Sequence, residues 1–471
     1  MKESKIFTKI PWRVLIVDEA HRLKNQSSRL FEQLQLIPRD QCVLLTGTPL
    51  QNKTEELFSL LHFADRSKFS SQSDFLSRFG DLRDANDVAR LHAVLKPHLL
   101  RRVKEDVEKS LPPKEETIIE VALTPLQKQL YRAIYEKNTH FLFKGAKSSN
   151  QPSLMNIMME LRKCCNHPYL IKGVEERIIS ETPIDERHDD YLHSRMIESA
   201  GKFVLLDKLL PRLYAEGHKV LIFSQMVKVL NLLEDYLRYK NYSYERLDGS
   251  TRSTDRHSAV ERFCRVSLKR FIMLLSTKAG GLGLNLTSAD TVIIFDSDWN
   301  PHNDIQAQAR AHRIGQTKAV MVYRLLTRKT YEMHMFHKAS LKLGLDRAVL
   351  AHARNEQEID EESTDPYSKI GLQVKEIDEL LKRGAYDVFW EDDTEQTDFV
   401  EADIDAIMQR RAHKVSYEGM TQSSISNSWA DFRKHRLCLP MRKKMWTSMI
   451  RTSGKKQLAS RSLFQLATIL L

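Results

Sequence analysis

Apolar residues follow two rhythms along this chain. Short runs stand at Val14–Val17, Cys42–Thr46, Val220–Phe223, Phe271–Leu275 and Val292–Phe295, the first of them mostly β-branched. Such runs read as strands of a parallel sheet buried on both faces. Between them the apolar positions take helical spacing, over Glu55–Phe63, Phe203–Tyr214 and Met226–Tyr239. Residues 121–178 also read as helical, with Leu154, Ile157, Met158 and Leu161 forming one apolar stripe. The polar stretch Glu175–Ser199 reads as a linker or mobile insertion. Strands alternating with helices predict an α/β fold with doubly wound parallel sheets.

Polar residues with chemistry stand where these strands run out. Asp18 and Glu19 follow Val17 directly. Ligands of open α/β sheets bind at the carboxyl ends of strands. One carboxylate beside a nucleotide can hold Mg²⁺ through its water shell, and its neighbour can orient or deprotonate an attacking water. Solvated acids capping the next helix are the plain alternative. The second run ends in Thr46-Gly47-Thr48-Pro49. Its hydroxyls can sense a γ-phosphate, or simply form a threonine-rich turn.

Ser276–Asn285 places Gly280, Gly281 and Gly283 after another strand, letting the backbone approach a phosphate. Gln306–Gln316 follows. On a helix, Gln306, Arg310 and Arg313 would project from one face. Paired guanidiniums suit the spread charge of phosphoryl transfer, while an ordinary basic stripe is the competing reading. Cys164, Cys165 and His167 invite zinc, yet no second Cys/His pair stands at ligand spacing.

Composition narrows the class. At 471 residues, with 41% hydrophobic and 29% charged, the chain suits two to four soluble domains. No apolar run approaches a membrane span, and Met-Lys-Glu-Ser-Lys is not a signal peptide. Five cysteines form no disulfide framework, which points to a reducing compartment. The net charge of +11 favours a polyanionic partner. Asn355–Asp365 and Gly384–Gln409 hold acids but no Lys or Arg, as a solvated linker or a segment competing with DNA for a basic surface would. Leu437–Leu471 holds no acids.

Taken in order, these blocks resemble the helicase-like ATPase motor of Swi/Snf-type chromatin remodellers, nearly continuously over residues 10–350. Asp18–His21 resembles motif two, Thr46–Asn52 motif three, Ser276–Asn285 motif five and Gln306–Gln316 motif six. Glu19–Asn25, Ser297–Pro301 and His312–Gln316 separate the chain from RNA helicases. Lys338–Asp346, Glu376–Tyr386 and Asp403–Arg411 resemble the chromodomain-helicase-DNA-binding (CHD) remodellers, in the kismet-like branch.

The resemblance implies two RecA-like lobes clamping ATP and Mg²⁺, with duplex DNA of nucleosomes running across both, in the nucleus. The implied division is a partial first lobe over 1–120, a helical insertion and linker over 121–200, and a second lobe over 201–350. An acidic, largely irregular extension over 351–436 and a basic tail over 437–471 follow. By the same resemblance, Asp18 would help hold Mg²⁺ and Glu19 would polarise water. Arg310 and Arg313 would be fingers, with Gln306, Gly281 and Gly283 contacting nucleotide. Thr46, Thr48, Lys24, Asn25, Lys278 and Trp299 would couple phosphate state to DNA.

The chain departs from that pattern in one respect of chemistry. Gly-x-x-x-x-Gly-Lys-Ser/Thr, which cradles the β- and γ-phosphates, occurs nowhere in it, and the first glycine is Gly47. The expectation is half a first lobe with exposed sheet edges and apolar faces, and negligible ATP hydrolysis by this polypeptide alone. A non-catalytic DNA- or nucleosome-binding module is the alternative. A strand-separating helicase fits the His-Arg-Ile-Gly-Gln form less well. Within the tail, Met449–Lys456 can be encoded by a string that reads Asp-Asp-Pro-Asp-Phe-Trp-Lys one base out of frame, so the tail reads either as an out-of-frame translation or as a divergent, disordered basic tail.

Overall fold

The computed structural model describes residues 4–47, 54–79, 90–91, 93–100, 102, 108, 110–143, 151–181, 183, 188–280, 283–339, 399 and 401–416. They group into two compact units. The first holds the described residues of Met1–Lys109 with Trp299–His302 and 336–339, and the second holds the remainder.

In the first unit, β1 (Trp12–Val17) and β2 (Arg39–Leu44) pair in parallel, with Leu15 opposite Cys42 and Val17 opposite Leu44. Those four side chains pack against a core of Ala20, Leu23, Phe31, Leu60 and Phe63. Helix α1 (Arg29–Gln35) supplies Phe31, and its first turn is capped by the Ser28 hydroxyl accepting from the Phe31 amide at 3.2 Å. Helices α2 (Thr54–Ala64) and α3 (Gln72–Phe79) build a second cluster around Phe58, Phe75 and Phe79.

Burial of β1 on both faces is corrected here. Val14 and Ile16 are exposed, as are Val43 and Leu45 beyond them. Side chains alternate across a strand, so the two-stranded sheet covers one face and leaves the other apolar and open.

The second unit is built on seven strands in the order β5-β6-β4-β7-β8-β3-β9. They are β3 (Lys114–Val121), β4 (Val220–Ser224), β5 (Tyr244–Leu247), β6 (Ile272–Ser276), β7 (Thr291–Ile294), β8 (Val320–Thr327) and β9 (Ala412–Ser416). All pairings are parallel except β3 with β9. Every residue of β4, β6 and β7 is buried. One face is covered by α8 (Gly201–Ala215) and α9 (Val227–Tyr239), through Phe203, Leu206, Leu230 and Leu233 among others. The other is covered by α10 (Ser253–Cys264), through Ala259 and Phe263.

Helices α4 (Pro125–Phe143) and α5 (Gln151–Asn166) account for the helical reading of residues 121–178, and Ile157, Met158 and Leu161 are buried. The linker reading of Glu175–Ser199 is corrected. Helices α6 (Val174–Glu181) and α7 (Asp189–Glu198) occupy it, and Met196 and Ile197 enter the core beside α8. Those two apolar residues anchor the end of the segment, while Glu175, Glu176, Asp189 and Asp190 are exposed. Of the C-terminal extension, α12 (Ile404–Arg411) and β9 are described, whereas the stretch 355–365 and the tail lie outside the described residues.

Candidate functional site

In the first unit, two backbone bonds set the acid pair. The Leu45 amide donates to the Val17 carbonyl at 2.9 Å, and the Ala20 amide donates to the Leu45 carbonyl at 2.9 Å. The turn after β1 is thereby stitched to the end of β2, bringing Asp18 and Glu19 beside Thr46. Asp18 is exposed, and its Oδ1 accepts the Glu19 amide at 2.8 Å. Glu19 sits in the left-handed region at φ 49°, ψ 46°, and its carboxylate lies 3.2 Å from His21 Nδ1. The 3₁₀ turn Ala20–Leu23 then buries Ala20 and Leu23. These two apolar plugs fix the turn while the acids stay wet.

Lys24 and Asn25 are exposed. Lys24 pairs with Glu56 at 3.5 Å, and Asn25 Oδ1 accepts from the amide and hydroxyl of Ser27 at 3.0 and 2.8 Å. Thr46 is half-buried, while Thr48 lies outside the described residues.

In the second unit, the glycine-rich loop leaves β6 through one helical turn, Thr277–Gly280, with Lys278 exposed. Gly281 lies outside the described residues. Gly283 has φ 66°, a backbone conformation that favours glycine, and its carbonyl accepts Arg313 Nη1 at 3.4 Å. The Leu286 amide donates to the Arg310 carbonyl at 3.1 Å. The glycine loop, which leaves the carboxyl end of β6, is thus tied to the arginine segment, which packs beside the amino ends of β7 and β3 before leading into β8.

The helical reading of Gln306–Gln316 is corrected. Helix α11 (Pro301–Gln308) ends before either arginine, and turns follow. Further helix would need the Arg313 amide to reach Ala309, but it donates to Ala311 at 3.1 Å. Gly315 at φ 100° and the Gln316 side chain, bonded to the carbonyls of Ala289 and Ala311 at 2.8 and 3.1 Å, close the turn. Arg310 is buried and Arg313 exposed, so they do not share a helical face. Gln306 and Trp299 are half-buried.

Cys164, Cys165 and His167 serve the core. The Cys164 thiol donates to the Gln127 carbonyl at 3.3 Å, and burial pushes the Cys165 thiol up to about 12. The His167 ring meets the Met196 carbonyl at 3.0 Å and accepts the Tyr169 amide at 3.1 Å. Burial lowers its pKa to about 4. Among the described residues no group of three His, Cys, Asp or Glu could hold a metal ion, and no helix is long and apolar enough to cross a membrane.

Sequence reasoning missed the buried charges behind the site. Lys202, Arg162 and Arg324 are buried against Glu332, Asp296 and the Glu116/Asp304 pair. Burial works against the Arg324 charge, but Glu116 and Asp304 more than offset it, so its pKa rises. Burial lifts Asp304 to about 7 against the pull of Arg324. The signal that could have found them is a single charge inside an apolar run, as Arg324 is within Val320–Leu326.

Residues 1–170 match the family model described as SNF2-related domain, and residues 201–315 match the helicase conserved C-terminal domain. The chain is 57% identical over 421 residues to chromodomain-helicase-DNA-binding protein 9 of Homo sapiens, covering 88% of this chain and 14% of that protein. It is 55% identical to human chromodomain-helicase-DNA-binding protein 7, covering 88% and 14%. Against protein 8 of Xenopus tropicalis it is 56% identical, covering 88% and 19%. The chain therefore spans less than a fifth of the length of each of these relatives.

Proposed function

The chain belongs to the SNF2-related, helicase-like family of the chromodomain-helicase-DNA-binding proteins, and from that premise we propose that it forms part of an ATP-driven motor moving on duplex DNA to remodel nucleosomes in the nucleus. The observation that carries this reading is the tie between the glycine loop, which leaves the carboxyl end of β6, and the arginine segment that leads into β8. Phosphate sites in open α/β sheets form at the carboxyl ends of strands, where the glycine loop begins.

In this scheme Asp18 and Glu19 divide two tasks. Asp18 is a single exposed carboxylate with one oxygen already accepting an amide. That suits a water-mediated hold on hydrated Mg²⁺ better than a direct cage of carboxylates. When bound, Mg²⁺ neutralises charge on the phosphates. Glu19 polarises the attacking water, and Arg310 and Arg313 meet charge developing on the terminal phosphate. Gln306, Gly281 and Gly283 contact the nucleotide. Thr46, Thr48, Lys24, Asn25, Lys278 and Trp299 link phosphate state to DNA grip.

A second reading is favoured by one observation. The chain contains no phosphate-binding glycine-lysine loop, so the acids and arginines have no cradle for the β- and γ-phosphates within these 471 residues. On this reading the polypeptide alone is a DNA- or nucleosome-binding module. Phosphate release measured with and without duplex DNA, beside a salt titration of DNA binding, separates the two. We expect negligible turnover by the isolated chain and salt-sensitive binding. Turnover at the level of a complete remodeller would overturn the part assigned to the missing loop, and the absence of both activities would overturn the motor reading.

A further inference from the structure

Three buried cations hold three consecutive residues where β7 ends. Lys202 of α8 donates to the Phe295 carbonyl at 2.8 Å, with Glu332 at 2.7 Å matching its charge. Arg162 of α5 donates Nη2 to Asp296 Oδ2 at 2.9 Å and to the Ser297 carbonyl at 3.1 Å. Arg324 of β8 donates to the Ser297 hydroxyl at 2.9 Å, to Asp304 at 2.5 Å and to Glu116 at 2.8 Å.

Removing one partner of a buried ion pair leaves an uncompensated charge, so each cation is at home only when its partners stand in place. Lys202 and Arg324 belong to the sheet and the helix against it. Arg162 comes instead from the helical segment α4–α5. Downstream, both oxygens of Asp304 lie 3.3 Å from the Asp298 amide, and Asn303 Nδ2 donates to Asp298 at 3.1 Å. These bonds join the two ends of the turn between β7 and α11. The chain then runs through α11 to Arg310 and Arg313.

We propose that Arg162 is a positioning residue for the arginine-bearing segment, so that the helical segment α4–α5 governs where Arg310 and Arg313 stand. By gripping Asp296 and the Ser297 carbonyl it fixes the point from which that segment departs. The role rests on the phosphate-facing reading of the two arginines and adds a residue outside both strand-end motifs. Both bonds leave one nitrogen, Nη2, of a rigid planar guanidinium, so the Asp296 carboxylate and the Ser297 carbonyl are held at a fixed angle to each other.

Hydrogen–deuterium exchange on the full chain tests this. The R162M variant should speed exchange of amides within 297–316 by about tenfold or more, while β4 and β6 exchange as in the wild type. R162K should restore part of the protection. Unchanged exchange over 297–316, or equal loosening of β4 and β6, overturns the proposal. If R162M does not fold, D296N weakens the same bond from the other side and should give the same local pattern. Exchange reads position whether or not ATP is turned over. Local loosening beside evidence that Arg310 and Arg313 never meet phosphate would sink the motor reading of those arginines and leave the positioning by Arg162 standing.

Discussion

Arg313 Nη1 reaches the carbonyl of Gly283 at 3.4 Å, joining an exposed guanidinium to a glycine that only a left-handed backbone places there. Its neighbour Arg310 is buried, and its carbonyl is engaged by the Leu286 amide. The two arginines therefore share a segment but not an environment, and their substitutions should separate.

R313A is expected to leave stability within about 0.5 kcal/mol of wild type, as exposed positions usually do. R310A removes a buried guanidinium and should cost about 1–3 kcal/mol. In a chimaera where this chain replaces the matching stretch of a relative with the phosphate loop, either change should lower kcat by about a thousandfold. Urea unfolding and phosphate release check the two halves. Equal stability losses would refute the split in environment, and an unaffected kcat would refute the finger role.

Glu19 gives a second test, because its left-handed backbone at φ 49° costs a non-glycine residue roughly 1–2 kcal/mol. E19G should release that strain and stabilise the first unit, while removing the carboxylate proposed to polarise water. E19Q keeps the strain and should be stability-neutral. Chemical denaturation of both variants decides the matter, and a destabilised E19G would show that the Glu19–His21 contact outweighs the strain.

The C-terminal segment supplies a third. Ile404 and Ile407 are buried in the same core as α8, Lys208 donates to the carbonyls of Phe399 and Ala402 at 3.3 and 2.6 Å, and Arg212 pairs with Asp405. Strand β9 covers the edge of β3. The strap is thus part of the second unit's fold, beyond residue 315 where the family match stops. I407A should cost about 2–4 kcal/mol by urea denaturation. A loss below about 0.5 kcal/mol would mean that the strap adds nothing to the core.

What could be read in advance follows from how each strand is covered. β4, β6 and β7 are sandwiched between helices, so their apolar runs are unbroken and legible. β3 and β8 carry Glu116, Glu120 and Arg324 in their interiors, buried or nearly so, and charges within a strand hide it from a hydrophobicity pattern. The acid pair, the glycine loop and the arginines were legible as motifs, because their chemistry demands particular residue types in a fixed order. The helical placement of Arg310 and Arg313 was not. Tertiary bonds from Leu286 and Gln316 override local helical spacing, and nothing local announces them. Likewise, Val14 and Ile16 are apolar whether or not something covers them.

His167 provides the pH test. Its ring lies wholly buried between Tyr169 and Phe203, with Nε2 at the Met196 carbonyl and Nδ1 accepting the Tyr169 amide. Those partners require the neutral ring with its proton on Nε2, because a second proton on Nδ1 would displace the Tyr169 bond. Burial accordingly lowers the folded pKa from 6.5 to about 4. Between those values the unfolded chain binds a proton that the folded one refuses, so this contribution is fully present above pH 6.5 and is lost as pH falls towards 4. From pH 7.5 to pH 5 the loss should be about 2 kcal/mol. In H167Q that slope should vanish, although the variant will be less stable at pH 7.5 for want of shape and one bond. Urea unfolding of wild type and H167Q at both pH values measures the difference of differences. If the two proteins lose the same stability on acidification, the slope comes from other groups, and His167 does not hold its ring neutral as the packing requires.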